Sequence, residues 1–232
     1  MNGTRTITSI ASATIIQKES GQSDSATYER HRSTKDTPTV NSRQMAWKSD
    51  EQQYEDVCEI FWASGAAMLI RSELFHQLGG LDESFFAHME EIDLCWRVRN
   101  AGYKIVVVPK SVVYHVGGSV ITYGSFSKLY HNYRNNLIMM FKNLSLGKLL
   151  LLIPMRMSLD FVALIRAILT GNFTEWKAIH VAHFNFVFGL NKWVKARKKA
   201  RKHVNSPNLK GWFKKSLIIA VFIKKKTKFS QL

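Results

Sequence analysis

Three carboxylates fall within four positions, Glu90, Glu91 and Asp93, and past an apolar run His115 stands just ahead of Gly117 and Gly118. Carboxylates and an imidazole exchange protons near neutral pH or hold a divalent cation, so this is where the chain could do chemistry. Acids in the first turn of a helix are also favoured by the macrodipole, each by about 0.3–1 kcal/mol, so their position alone establishes nothing. A histidine at a strand end is, by itself, most often a structural hydrogen-bonder. The combination carries more weight. A helix followed by a returning strand can bring His115 back toward the helix start, and two glycines let the backbone bend close to a ligand.

The elements that must position these groups can be read from the pattern. A helix is predicted over about His88 to Asn100, with Leu94 and Val98 one turn apart on its buried side and Gly102 just past its end. "KIVVVP" follows as a short buried strand that Pro109 stops. Upstream, residues 57–70 form an apolar run interrupted at Ser64-Gly65, which reads as a buried strand pair or a bent strand. A short helix capped by Ser72 comes next, closed by Gly79 before Gly80 turns the chain.

Beyond the glycine pair the pattern is helical. Ser125 or Ser127 starts one helix, and "KLLLLIPMRMSLDFVALIRAILTG" makes another. Crossing a bilayer takes about 20 apolar residues, and no uncharged run here reaches half of that. With Arg156 and Asp160 four apart on one face, the segment reads as amphipathic, docked on protein or lying in a membrane surface. Residues 177–203 are expected to pass from apolar to basic without a break, and "LKGWFKKSLIIAVFIKKKTK" closes the chain. His180 and His183 lack a third ligand at suitable spacing and read as packed or interfacial histidines. Met139, Met140, Met155 and Met157 read as core or interface filler.

Length and charge bound the rest. A chain of 232 residues suits one well-buried domain with appendages. The formal net charge is +16, but 14 of the 33 Lys and Arg lie in residues 190–232, where there is no Asp or Glu. The body is nearly neutral and the tail is a polycation. Trp193 and Trp212 among lysines would suit single-stranded nucleic acid, yet the apolar centre "SLIIAVFI" favours an anionic membrane surface. Residues 1–54 contain no Phe and no Leu, and 14 of the first 40 are Ser or Thr, so disorder or loose structure is expected. Cys58 and Cys95 match no redox or zinc spacing and read as buried thiols in a reducing compartment. No secretory leader is evident at the N-terminus, which places the folded part in the cytosol.

The stretch "ASGAAMLIRSELFHQLGGLDESFFAHMEEIDLCWRVRNAGYKIVVVPKSVVYHVGG" resembles the acceptor half of family-2 inverting glycosyltransferases of GT-A fold, near their bacterial rhamnosyltransferase-like members. The resemblance rests on Gly-Gly-Leu-Asp, the paired acids, Asp-Leu-x-x-Arg and Tyr-His-x-Gly-Gly. It covers residues 55 to about 120, and more loosely the "YRNNLIMMFKNL" helix. It implies an α/β fold with an incomplete, Rossmann-like mixed sheet over residues 55–122, followed by a helical extension to 189 and a polybasic amphipathic tail from 190. Residues 1–54 look unrelated to it. Glu91 is then the general base, with Asp82, Glu90 and Asp93 around the acceptor, His115 a ligand to Mg²⁺ or Mn²⁺, and Gly117 and Gly118 in the cofactor-binding turn. Arg97 is expected to pair with Asp93 within the helix.

The implied reaction moves a sugar from a nucleotide-diphosphate donor, dTDP-rhamnose being the natural guess, to a polysaccharide or lipid-linked acceptor. A Glu with a reference pKa of about 4.3 is ionised at neutral pH, as such a base must be. The family's nucleotide-binding half and its Asp-x-Asp metal motif have no counterpart before residue 55. The expectation is therefore a fragment whose metal and activity require a partner supplying that half, peripheral at the inner face of the plasma membrane. The alternative is a non-catalytic remnant or membrane-surface binding module.

Overall fold

The computed structural model describes residues 56–115 and 124–204, together with the backbone of residues 9–17. Its strands are β1 (Ser9–Gln17), β2 (Cys58–Glu59), β3 (Met68–Leu69) and β4 (Lys104–His115). Its helices are α1 (Ser72–Gln77), α2 (Glu90–Asn100), α3 (Phe126–Asn143), α4 (Leu146–Leu169), α5 (Phe173–Phe188) and α6 (Leu190–Arg201). The chain is mixed α/β, with more helix than sheet. The four strands lie in the order β2-β4-β1-β3, with β4 antiparallel to both neighbours and β1 parallel to β3.

Strand β4 corrects two expectations. It runs through Pro109 to His115 instead of stopping there. Its register with β1 shifts between the pairs Thr14↔Val107 and Ser12↔Val112, so the residues around Pro109 bulge out of the ladder. A residue without an N–H is tolerated at such a bulge. Its partner β1 lies in the stretch expected to be loose. That expectation summed apolar content over 54 residues, whereas "SIASATIIQ" needs only an available strand edge, and β4 supplies one.

The run at 57–70 is a pair of two-residue strands separated by a 3₁₀ turn at Gly65–Ala67. It is less buried than expected, with Val57, Trp62 and Leu69 all substantially exposed. Cys58 is exposed as well, and only Cys95 is a buried thiol. Helix α1 has Arg71 at its N-cap and no side-chain cap, so Ser72 is its first residue and not its cap. Gly79 and Gly80 take φ of 82° and 65°, which makes the turn after α1 a glycine requirement. Helix α2 buries Leu94 and Val98 completely, as their spacing required.

The helical half packs around α3, whose cap is Ser125 through a bond from the Lys128 N–H at 3.3 Å. Leu137, Ile138, Phe186 and Trp193 form one core with Phe85 and Trp96 from the preceding half, so the two halves share hydrocarbon. The expected unbroken third helix is instead α5 and α6, parted at Gly189. The Trp193 indole lies so close over Gly189 that a Cβ there would meet its Nε1 at 2.5 Å. That indole donates to the Phe186 carbonyl at 3.0 Å, meeting an acceptor at the end of α5. Trp193 is therefore internal and unavailable to stack on a base, and α6 belongs to the bundle although it opens the segment read as a tail. Trp212 and residues 205–232 lie outside the described residues. No described helix is long and apolar enough to cross a membrane.

Candidate active site

The carboxylates are presented by a strained loop. Asp82 caps the 3₁₀ turn Glu83–Phe85, accepting from the Ser84 N–H at 3.0 Å. The chain then passes through Phe86, His88 and Met89 at φ of 62°, 67° and 74°, a left-handed region that non-glycine residues rarely occupy. One side chain holds them there. Asn135 of α3, fully buried, directs Nδ2 at the carbonyls of Phe85, Ala87 and His88 at 2.9, 2.8 and 2.9 Å. Its neighbour Arg134 donates to the Ser84 carbonyl at 2.9 Å and to Asn135 Oδ1 at 3.0 Å. Helix α2 then opens with Glu90 and Glu91 in its first turn.

Asp93 takes no part in an open site, which corrects its assignment to acceptor binding. It is completely buried, and its carboxylate accepts from Arg97 Nε at 2.9 Å, Lys142 Nζ at 2.9 Å and Asn143 Nδ2 at 2.7 Å. With two oxygens meeting two cations and an amide, its function is to tie α2 to α3. Arg97 pairs with Asp93 as expected and also grips the glycine turn, donating to the carbonyls of Leu78 and Gly80 at 2.6 and 2.8 Å.

Asp82 is a quarter exposed and pairs with Lys142 at 2.5 Å. Burial acts to raise its pKa, but the Lys142 ammonium and the Ser84 bonds outweigh it and hold the carboxyl at about 2. It lines a cleft of about 510 Å³ with Glu83, Ser84, Lys142 and Lys199, which Glu90 and Glu91 do not line. Asp82 and Glu91 thus do not share this cleft.

Glu90 and Glu91 are different from Asp93. Each has a buried Oε2 with no hydrogen-bond partner among the described residues, and the same is true of His88 Nε2 and His131 Nδ1. Burial pushes the Glu91 carboxyl up, with the Glu90 charge adding, against backbone N–H bonds at Glu91 and Ile92. Burial pushes the His88 imidazole down, helped by Lys128 and opposed by Glu90. It pushes His131 down too, together with Arg134 and His88. The four side chains are thus linked in a chain of mutual electrostatic effects, with neutral imidazoles favoured beside a carboxyl of raised basicity. Phe86 stacks on His131 at 5.3 Å and is 79% exposed, an apolar platform at the mouth of this polar group. One turn along, Cys95 Sγ accepts from the Ala63 N–H at 3.4 Å, fixing the 63–67 segment beside Glu91; burial pushes its thiol up to about 11.

The sequence reading missed Asn135, Arg134, His88, His131 and Lys142. A signal existed for two of them: Asn135 and Lys142 share the helical face of Ile138 and Met139, and a polar side chain on a buried stripe must have a partner. His115 ends β4 opposite Ser9, while its imidazole and both Gly117 and Gly118 lie outside the described residues. Among the described residues, no three His, Cys, Asp or Glu come together as a metal ligand set. His183 instead pairs with the buried Asp160 at 3.0 Å, and Met155, read as filler, is about half exposed.

No protein-family model matches the chain, and no solved structure does. Short segments of known enzymes do match. Over 54 residues it is 44% identical to N-acetylglucosaminyl-diphospho-decaprenol L-rhamnosyltransferase of Mycobacterium tuberculosis, covering 23% of this chain and 18% of that protein. Over 59 residues it is 37% identical to rhamnosyltransferase WbbL of Escherichia coli K12, covering 25% and 22%. Over 43 residues it is 44% identical to the low-salt glycan biosynthesis hexosyltransferase Agl10 of Haloferax volcanii, covering 18% and 14%. The chain thus spans less than a quarter of the length of the curated relatives it matches. The segments it matches come from proteins named as rhamnosyltransferases or a hexosyltransferase.

Proposed function

We propose that the chain carries the acceptor half of a family-2 inverting glycosyltransferase of GT-A type, acting on a lipid-linked acceptor at the cytoplasmic face of a membrane. The observation that carries the reading is the Glu91 carboxyl, held at the start of α2 with raised basicity and a buried oxygen that no described residue satisfies. An unmet acceptor of this kind costs about 1–3 kcal/mol, which a bound hydroxyl would recover.

In the proposed reaction Glu91 takes the proton of the acceptor hydroxyl as that oxygen bonds to the anomeric carbon. The bond from that carbon to the diphosphate oxygen breaks, and the nucleoside diphosphate leaves with the electron pair. Such general-base assistance is worth about 10²- to 10⁴-fold. Glu90 keeps a second acceptor oxygen beside it, and His88 and His131 present ring nitrogens for the acceptor's other hydroxyls. The described residues do not assemble a ligand set for a divalent cation, so no step is routed through one. Rhamnose is the proposed group transferred, a reading supported by the names of two relatives, and dTDP-rhamnose is proposed as its carrier.

The test is a graft. Residues 55–122 are placed in WbbL in place of the segment they match, and rhamnose transfer to its acceptor is measured. A folded graft that transfers sugar, and loses transfer on Glu91→Gln, supports the reading. A folded graft without transfer favours a non-catalytic module, and one indifferent to Glu91→Gln removes the base.

A further inference from the structure

Helix α4 is turned the wrong way for water. The one acid on it points into the bundle: Asp160 is 2% exposed and bonds Arg156 at 2.6 Å and His183 at 3.0 Å. Much of its hydrocarbon points outward. Leu150, Leu151, Met155, Phe161, Val162 and Leu169 are each 48–81% exposed. At 100° per residue these six fall within an arc of about 140°, and the stripe is about 28 Å long. Ser158, within the same arc, turns its hydroxyl back to the Pro154 carbonyl at 3.0 Å. The hydroxyl on this face is thus already satisfied without solvent, and contiguous apolar surface of this extent marks an interaction site.

Charge identifies the occupant. From residue 94 onward the chain has only two side-chain carboxylates, Asp160 and Glu175, and both are buried in ion pairs. The described surface of the helical half therefore exposes no acid, while Lys148, Arg166, Lys177, Lys192, Lys195 and Lys198 are exposed. Lys148 and Arg166 both fall at one border of the apolar arc. A second copy of this chain would bring the same positive rim against it, and a nucleic acid would leave the hydrocarbon wet. A bilayer with anionic headgroups meets both demands, with apolar side chains at the headgroup–acyl boundary and lysines among the phosphates.

We infer that the outward face of α4 from Leu150 to Leu169 docks in the plane of an anionic bilayer. The inference deepens the proposed function, in which the acceptor is lipid-linked, but it stands on the surface and can fail independently. The test is flotation of the full chain with phosphatidylcholine vesicles, with and without phosphatidylglycerol. Leu151→Glu/Phe161→Glu is compared with Ser72→Glu/Gln77→Glu, which adds the same charge at exposed positions of α1. Binding to the anionic vesicles is expected to fall at least about tenfold for the α4 pair and to match wild type for the α1 pair. Leu151→Ser/Phe161→Ser, which adds no charge, is expected to weaken binding in the same direction, and matched urea midpoints exclude unfolding as the cause. Equal flotation of the α4 and α1 pairs would overturn the inference. So would a wild-type dimer in gel filtration that the α4 pair dissolves without lipid. Glu91→Gln should float as wild type does, so that failure of the catalytic reading leaves this result standing.

Discussion

Asn135→Asp tests how the candidate site is held. The amide has two hydrogens for three carbonyls, so one is shared, and the Arg134 bond to Oδ1 fixes which way the amide points. Those carbonyls belong to the segment in which Phe86, His88 and Met89 hold left-handed φ, at about 1–3 kcal/mol each. Aspartate has the same shape, but its carboxylate donates nothing and aims a lone pair at three carbonyl oxygens. Two bonds at about 1 kcal/mol each, with about 1–3 kcal/mol for stranded carbonyls, give an expected loss of about 3–5 kcal/mol at neutral pH. That is a large part of a typical stability of about 5–15 kcal/mol. Protonation restores one O–H donor, so the Asp variant should recover partly in acid while Asn135→Ala does not. The assay is urea unfolding followed by circular dichroism at two pH values, with amide hydrogen exchange read over residues 85–91. A neutral-pH loss below about 0.5 kcal/mol, with unchanged exchange in that loop, would show that Asn135 does not hold it.

Glu91→Gln should raise stability while removing catalysis. Because the folded pKa lies above the ordinary 4.5, Glu91 favours folding below that value and ceases to as pH rises through the folded pKa, so the variant should gain on wild type from pH 4 to 7. Thermal melts at the two pH values measure this, and an unchanged difference would refute it. Asp82 titrates in the opposite sense. Its depressed pKa of about 2 contributes on the order of 2 kcal/mol above its ordinary 3.8, lost as pH falls through 2, so Asp82→Asn should cost that much at pH 7 and less than about 0.5 kcal/mol at pH 2. Gly189→Ala should displace Trp193, since the new Cβ would lie 2.8 Å from the Asn185 carbonyl as well. A cost of about 1–3 kcal/mol and a shift in tryptophan emission are expected.

Much of the local structure was legible in the residues. Leu94 and Val98 marked the buried side of α2, Gly79 and Gly102 took the positive φ their positions required, and Ser125 capped α3. Periodicity, capping and turn chemistry act over a few residues, so one window of sequence contains both cause and effect. The acidic cluster was visible for the same reason. What each acid does was not.

Three carboxylates on one turn look alike until the neighbours arrive. Asp93 became internal because Lys142 and Asn143, about 50 positions away, close over it. Glu91 kept an oxygen unmet because no such partner among the described residues reaches it. The same holds for Asn135 under the loop, for β1 at the edge of β4, and for α4, whose amphipathic pattern showed two faces but not which would be buried. The sequence by itself determined which elements form and where they end; the tertiary structure decided which polar groups are satisfied and which are left for a ligand, since desolvation and pairing depend on chain segments far apart in order and adjacent only after folding.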